Sequence, residues 1–176
     1  MNLEVEMKRE LARGAKKVTS FGAMAVAPID IASIKEGDVI TIPANWNENI
    51  LEAPVRGSYR EESVTDANGI EIGKKKVQVT AMYVKLPCKR DASETFVNFY
   101  PSFFTKNRMD VATGEFKRAS GTAVDEVQNY ATMDEAFAAL AGKSIKVTKL
   151  ERFKTYRFGS TTETQNAWVP VLDIVA

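Results

Sequence analysis

The sequence contains no histidine and has one cysteine, Cys88. The absence of histidine excludes Ser-His-Asp and Cys-His nucleophilic sites and removes the commonest metal ligand. A single cysteine excludes a disulfide within the chain. Cys88 follows Pro87, and we interpret it as a packing residue because a free cysteine behaves as a small hydrophobic side chain.

Carboxylate and lysine catalysis are the remaining enzymatic alternatives. The candidate carboxylate groups are adjacent acids, such as Glu61 with Glu62 and Asp125 with Glu126. Neighbouring residues of a strand point to opposite faces, and such acids are ordinarily solvated, so neither pair predicts a convergent acid-base site. We therefore expect a protein that is not an enzyme and that needs no metal or cofactor.

Long hydrophobic runs are also missing. No stretch approaches the roughly 18 consecutive apolar residues of a membrane-spanning helix. Residues 1–13 alternate charged and apolar side chains, unlike the apolar region of a secretion signal. We expect a soluble, cytoplasmic protein without a membrane partner.

The composition that is present predicts an ordinary folded domain. The chain has 176 residues, of which 44% are hydrophobic, and its 24 basic and 23 acidic residues nearly cancel. This length corresponds to about one domain, and the disorder signature of low hydrophobicity with high net charge is absent. We assign residues 31–176 to one domain and residues 1–30 to an N-terminal arm, which carries five basic side chains over residues 8–17. A solvated helix would explain the same basic residues without a functional arm.

One helix is predicted near the middle of the second half. Thr132 and Glu135 have the spacing of a capping box, and Gly142 supplies a C-terminal stop. Met133, Phe137 and Leu140 give the segment one apolar face. A helix is therefore expected over residues 133–141.

The rest of the pattern predicts strands. Residues 66–69, Asp-Ala-Asn-Gly, are typical of a tight turn, and the segments on both sides are rich in Val, Ile, Thr and Tyr. This pattern predicts a long hairpin over residues 55–86. Pro170 makes the last strand an edge or bulged strand. Residues 105–130 have no sustained period and are expected to be a long insertion before the helix. The other predicted strands are residues 39–42, 95–104, 144–158 and 167–175.

Basic residues are concentrated in three of the predicted strands and their edges. Residues 74–90 hold six basic residues and no acid, and residues 144–158 hold five basic residues against Glu151 alone. Residues 95–109 add Lys106 and Arg108 without an acid. The compensating acids, including Glu61 and Glu62, lie elsewhere in the sequence, which predicts that charge is also segregated in space.

The same segments hold most of the aromatic residues, and this combination is what an unpaired nucleic-acid strand requires. Lysine and arginine displace counterions from phosphates, while rings stack on bases. Arg152, Lys154, Tyr156 and Phe158 have the same parity and should share one strand face. The candidate nucleic-acid-binding residues are Lys74, Lys75, Lys76, Lys85, Lys89, Arg90, Phe99, Lys106, Arg108, Lys146, Arg152, Lys154, Tyr156 and Phe158.

Packing gives a competing explanation for many of these residues. A β domain of this size needs large aromatics in its core, and those of residues 96–104 fall on both strand faces. Basic residues can also protect exposed strand edges against aggregation without any ligand. We assign at least half of these aromatics to the core.

Three strands, a capped helix and two further strands is the element order of an OB-fold, a five-stranded, partly open barrel. With the basic and aromatic strands above, residues 55–175 resemble OB-fold single-stranded DNA-binding proteins, particularly the divergent ones encoded by bacteriophages. The resemblance implies sequence-tolerant binding of single-stranded DNA, favoured over RNA, in replication or recombination, within the host cytoplasm. It leaves self-association into a homo-oligomer open.

Two features depart from that resemblance. Many members end in an acidic, disordered tail that recruits partners, whereas residues 168–176 read as a buried strand. The insertion at residues 105–130 is not a family requirement. The alternative hypothesis is a structural or assembly protein, such as a virion or scaffold component, in which the basic arm and exposed strands meet neighbouring subunits and no nucleic acid is bound.

Overall fold

The structure is a computed structural model that describes residues 2–22, 32–105, 107–157 and 160–175. Strands dominate it, and the predicted mainly β fold is confirmed. The helices are α1 (Leu3–Ala12), α2 (Thr122–Val127) and α3 (Met133–Leu140). The strands are β1 (Lys16–Val18), β2 (Val39–Thr41), β3 (Ile50–Thr65), β4 (Glu71–Arg90), β5 (Ser93–Phe99), β6 (Asn107–Met109), β7 (Phe116–Arg118), β8 (Ser144–Tyr156) and β9 (Thr164–Val175).

The main sheet is antiparallel, with strand order β1-β3-β4-β2-β8-β9 and with β5 on β4. Strands β2 and β3 lie along the same strand, because Val39 pairs with Lys89 and Ile50 pairs with Val84, both on β4. Together they act as one strand interrupted by residues 42–49. The resulting order, β5-β4-β2/β3-β8-β9 with α3 between β5 and β8, fits the predicted OB-like arrangement.

The hairpins and the capped helix follow the sequence closely. The Thr132 Oγ1 atom accepts a hydrogen bond from the Glu135 backbone N–H at 3.2 Å, and Glu135 Oε2 accepts one from the Ala131 N–H. Asp66 Oδ1 accepts from the N–H groups of Asn68 and Ile70, which closes the predicted turn. The part of the chain that the structure describes contains two more α-helices, α1 and α2, and more strands than predicted; α2 and the additional strands are short.

The core lies inside the curved sheet under α3. Phe137 on α3 contacts the rings of Phe21, Trp46, Phe99 and Phe104, with centroids 5.1 to 6.1 Å apart. Phe103, also buried, packs against Phe99. Packing was therefore the right interpretation for most aromatics of residues 96–104.

The N-terminal segment differs from a detached arm. Helix α1 buries Met7 and Glu10, strand β1 pairs with β3 at Lys16–Val18, and Phe21 is fully buried. Residues 2–22 therefore pack on the main sheet of the same chain. Residues 23–31, which include most of the small-residue run, lie outside the described residues.

The predicted insertion contains structure of its own. Strands β6 and β7 form a separate two-stranded sheet, and α2 follows it. Ser120 then forms a parallel bridge with Val171 of β9, and the next residue, Gly121, has a φ of 110°. A side chain at Gly121 would overlap the backbone of Leu172, so only glycine allows this close approach. No ladder joins β5 to β9 within the described ranges, and the barrel is partly open.

Within the described ranges, no helix is both long and apolar enough to cross a bilayer. The same residues contain no group of three or more acidic or cysteine side chains placed to hold a metal ion.

Candidate nucleic-acid interface

A β-bulge decides which way the outer half of β8 faces. The pairing of β8 with β9 shifts between Val147 and Lys149. Val147 lies in the main core and Leu150 packs against it, whereas Phe153 belongs to a second, small cluster with Ala167 and Val169. The extra residue therefore changes which alternate side chains face the main core.

Arg152, Lys154 and Tyr156 form what we call the basic stripe. They alternate with the buried Phe153 and Thr155 and are all exposed, Tyr156 by 45%. By alternation they continue the face that carries Leu150, so the stripe extends the inner face of the sheet beyond the end of the core. The predicted shared face holds for these three residues, and Phe158 lies outside the described residues.

Trp168 completes the stripe from the neighbouring strand. It lies directly opposite Arg152 in the register, and the Arg152 Cζ atom is 5.2 Å from the centroid of its ring. The ring is half-buried. A guanidinium at this distance from an indole makes a cation–π contact, which holds the arginine in place without neutralising its charge.

The charges of the stripe are not matched by acids. Neighbouring Glu151 is on the opposite face, where its carboxylate lies 3.1 Å from Lys117 Nζ on β7. Arg157 pairs instead with Glu163 at 3.8 Å. Among the described residues, no acidic side chain forms an ion pair with Arg152 or Lys154. The stripe therefore offers two unpaired cations between two aromatic rings.

The reverse side of the stripe is supported by the β6–β7 hairpin. The Val111 N–H donates a hydrogen bond to the Lys154 carbonyl at 2.9 Å, and Lys117 reaches Glu151. The stripe is thus held on a supported strand instead of on a free loop.

Lys74, Lys75 and Lys76 lie on a protruding two-stranded segment, residues 59–65 of β3 with residues 71–78 of β4, which we call the ribbon. All three are exposed. The register places Lys75 opposite Glu62 and Lys76 opposite Glu61. The predicted spatial segregation of charge is wrong here. The acids and the lysines are separate in the sequence, but the hairpin places them side by side.

Lys85 is withdrawn from any external ligand in this conformation. It is 7% exposed, and its Nζ atom lies 3.2 Å from Glu10 Oε1 on α1. The prediction that Lys85 is an exposed phosphate contact is wrong for this conformation. Its partner, Glu10, lies on α1, and no sequence signal links α1 to β4.

Arg90 is also engaged within the fold. Its Nε and Nη2 atoms donate to the two carboxylate oxygens of Asp38 at 2.8 and 2.7 Å, and Nη2 also donates to the Ser33 carbonyl. Asp38 is 1% exposed. Burial raises the pKa of its carboxyl, but the hydrogen bonds from Arg90 and the Lys35 N–H outweigh burial and lower it. Arg90 therefore neutralises a buried acid within the fold.

Phe99 is fully buried against Phe103, Phe104 and Phe137, so it is a core residue and not a stacking platform. Its inward position follows from the β4–β5 register, in which it pairs with the buried Val84.

The remaining predicted residues are spread over other surfaces. Lys146 is exposed on β8 opposite Asp173, outside the stripe. Arg108 is half-buried on β6 opposite Lys117, and burial lowers its pKa. Lys106 lies outside the described residues.

Lys89 borders a groove on the outer face of the sheet, which we call the outer groove. Its volume is about 450 Å³. Thr41 and Ser144 line it with hydroxyl groups 3.2 Å apart, and the half-buried Phe96 lies beside Pro87. Thr95 and Glu94 also line the groove, and Glu94 lies directly opposite Lys89 in the register, so the cation of the groove faces an acid.

Sequence reasoning missed Trp168, because residues 168–176 were interpreted as buried. The predicted bounds of the hairpin, residues 144–158 and 167–175, would pair Arg152 with Asp173, so the sequence pattern did not give the observed register either. Comparison of the chain with protein-family models, curated proteins and solved structures found no match.

Proposed function

We propose that this protein binds single-stranded nucleic acid, with DNA favoured over RNA, and that it does so without catalysis. The observation that carries the proposal is the basic stripe: Arg152 over Trp168, with exposed Lys154 and Tyr156 on the same face. Unpaired cations attract phosphates, and accessible rings stack on bases of any sequence.

The position of the stripe within the fold supports the proposal. OB-folds bind oligonucleotides on the face of their second and third strands and with the loops between strands one and two and between strands four and five. In the strand order of this chain these loops correspond to the β3–β4 hairpin and the β8–β9 hairpin. The first carries the lysines of the ribbon, and the second carries the stripe.

The proposed interface differs from the residues chosen from sequence. Its centre consists of Arg152, Lys154, Tyr156 and Trp168, and Lys89 with the outer groove forms a second contact. The ribbon contributes weakly, since two of its three lysines, Lys75 and Lys76, face glutamates across the hairpin. Lys85 and Phe99 are buried, and the partly exposed Arg90 is paired with Asp38.

The resemblance to divergent bacteriophage single-stranded DNA-binding proteins remains part of this proposal, together with a role in replication or recombination. Such proteins work by sequence-tolerant coating, and stacking supplies roughly 1–3 kcal/mol per base. Residues that stack and neutralise without reading base edges fit that requirement.

The test is a binding comparison with a stripe variant. We expect Arg152→Gln with Lys154→Gln to weaken binding of a labelled single strand while the melting temperature stays within the range of surface substitutions. The matched control is Lys8→Gln with Arg9→Gln on α1, where both residues are exposed and paired with glutamates. Equal affinity of the two double variants would contradict the proposal.

Assembly is the second candidate function, and the ribbon is the observation that favours it. Tyr59, Ile70 and Ile72 are 59%, 62% and 66% exposed, and an isolated two-stranded hairpin has little stability in water. A neighbouring subunit would cover these side chains. Light scattering of the protein without nucleic acid tests this: a concentration-dependent oligomer that Ile72→Thr dissolves supports assembly, and a monomer at all concentrations contradicts it.

A further inference from the structure

Helix α1 covers part of the outer face of β4, and the Glu10 carboxylate joins it to Tyr83 and Lys85 of that strand. Glu10 is 8% exposed, and its Oε2 atom accepts a hydrogen bond from Tyr83 O–H at 2.7 Å. Its Oε1 atom lies 3.2 Å from Lys85 Nζ and 3.3 Å from Arg13 Nη1. Glu6 contributes a second, longer contact to Lys85 at 4.0 Å.

The two groups of β4 that contact Glu10, the Tyr83 hydroxyl and the Lys85 ammonium, are also of the kinds that bind phosphates. A tyrosine hydroxyl and a lysine ammonium both donate, and both are directed at the same anion. A phosphodiester presents the same acceptor atoms and charge as a carboxylate. Lys85, at 7% exposure, needs an anionic partner, because a buried ammonium without one is strongly unfavourable.

The pair also lies in line with the outer groove. Tyr83, Lys85, Pro87 and Lys89 alternate along β4 and therefore share its outer face. The groove is open at Pro87 and Lys89, whereas α1 covers the face at Tyr83 and Lys85. A nucleic-acid strand that follows β4 from the groove would meet α1.

We propose that Tyr83 and Lys85 form a phosphodiester-binding site, which Glu10 of α1 occupies in the free protein, so that α1 and a nucleic-acid strand compete for it. This rests on the proposed function. The apolar anchoring of α1 is limited, because Met7 is buried and Leu3 partly buried, while Val5 and Leu11 are more than 40% exposed. Binding would release α1 and expose a further cation and a further ring.

The first test compares Glu10→Gln with Glu4→Gln. Both remove one negative charge from α1, but the Glu4 side chain is 73% exposed and pairs with Lys8 of the same helix. Glutamine keeps an acceptor for Tyr83 and loses the charge that holds Lys85. We expect Glu10→Gln to bind a single-stranded oligonucleotide roughly tenfold more tightly than Glu4→Gln. A ratio of this size corresponds to the free energy of about one charge-assisted hydrogen bond. Adding Lys85→Gln to Glu10→Gln should abolish the gain.

The second test uses the wild-type chain and so does not depend on a variant that folds. Amide hydrogen exchange in residues 3–12 should become faster when the oligonucleotide is bound, while exchange in α3 stays unchanged. If wild type binds and α1 keeps its protection, α1 is a fixed element and the inference is overturned while the proposed function stands. If neither wild type nor Glu10→Gln binds, both are overturned.

Discussion

Arg152 on β8 and Trp168 on β9 face each other across a hairpin, with the guanidinium carbon 5.2 Å from the centre of the indole ring. The contact fixes the arginine, leaves its charge unpaired and lies between Lys154 and the body of the sheet. An arginine held in this way needs to lose little side-chain freedom when it meets a phosphate.

Removing an aromatic ring of the interface should weaken binding without unfolding the protein. We expect Tyr156→Ala to reduce affinity for a single strand by roughly 1–3 kcal/mol, the contribution of one stacked base. Fluorescence anisotropy measures the loss. Phe116→Ala on β7 is the matched control, because Phe116 is 68% exposed on a different hairpin. Equal losses at both positions would indicate a general surface effect and not stacking on the stripe.

Removing the cations of the stripe should change the salt dependence of binding. Each phosphate neutralised on a single strand contributes about −0.7 to the slope of log affinity against log salt. Arg152→Gln with Lys154→Gln should therefore make the slope shallower by roughly 1.4, provided each cation contacts one phosphate. An unchanged slope, measured by titration at several salt concentrations, would show that these cations do not face phosphates.

Arg90 should matter for stability and not for binding. Arg90→Ala leaves the buried carboxylate of Asp38 without its partner, and breaking such a pair costs roughly 3–5 kcal/mol. Urea unfolding measures this loss. Arg60→Ala is the control, since the exposed pair of Arg60 with Glu62 contributes about 0–1 kcal/mol. If folded Arg90→Ala protein binds a single strand more weakly than the wild type, Arg90 is part of the interface and this prediction is wrong.

Stability should fall in acid because of Glu10. Burial raises the pKa of its carboxyl, but the hydrogen bond from Tyr83 and the charge of Lys85 outweigh burial, so the pKa lies below the ordinary 4.5. A carboxyl with a lowered pKa in the folded state stabilises the fold above its unfolded-state pKa, and this contribution is lost as pH falls through the folded-state pKa. The free energy of unfolding of the wild type, measured in urea, should therefore fall below about pH 4.5. Glu10→Gln should lose less stability over the same range. Identical pH profiles would contradict the role of Glu10 as the anchor of α1.

Local patterns in the sequence were sufficient for the helix at residues 133–140 and for the two long hairpins. Thr132, Glu135 and the turn at residues 66–69 act through atoms only a few positions apart, so their chemistry is visible in a short window. The shared face of Arg152, Lys154 and Tyr156 also follows from alternation alone. These are the parts of the fold and the interface that could be predicted.

Contacts between distant segments explain the rest. Tyr83 and Glu10 are 73 positions apart, and Arg90 and Asp38 are 52 apart. The local sequence around Lys85 and Arg90 does not indicate their acidic partners. Both residues were therefore predicted to be exposed cations. The bulge in β8 was equally invisible, because a register depends on both strands, and it decides which face of the sheet the stripe extends.

The most direct test of the account is fluorescence anisotropy of a labelled, unstructured oligonucleotide of about 30 nucleotides, compared with the same sequence as a duplex at low and moderate salt. We expect salt-sensitive binding that prefers the single strand and that weakens when Trp168 is replaced by alanine. A folded protein that binds neither form at low salt, or that binds the duplex equally well, would contradict it.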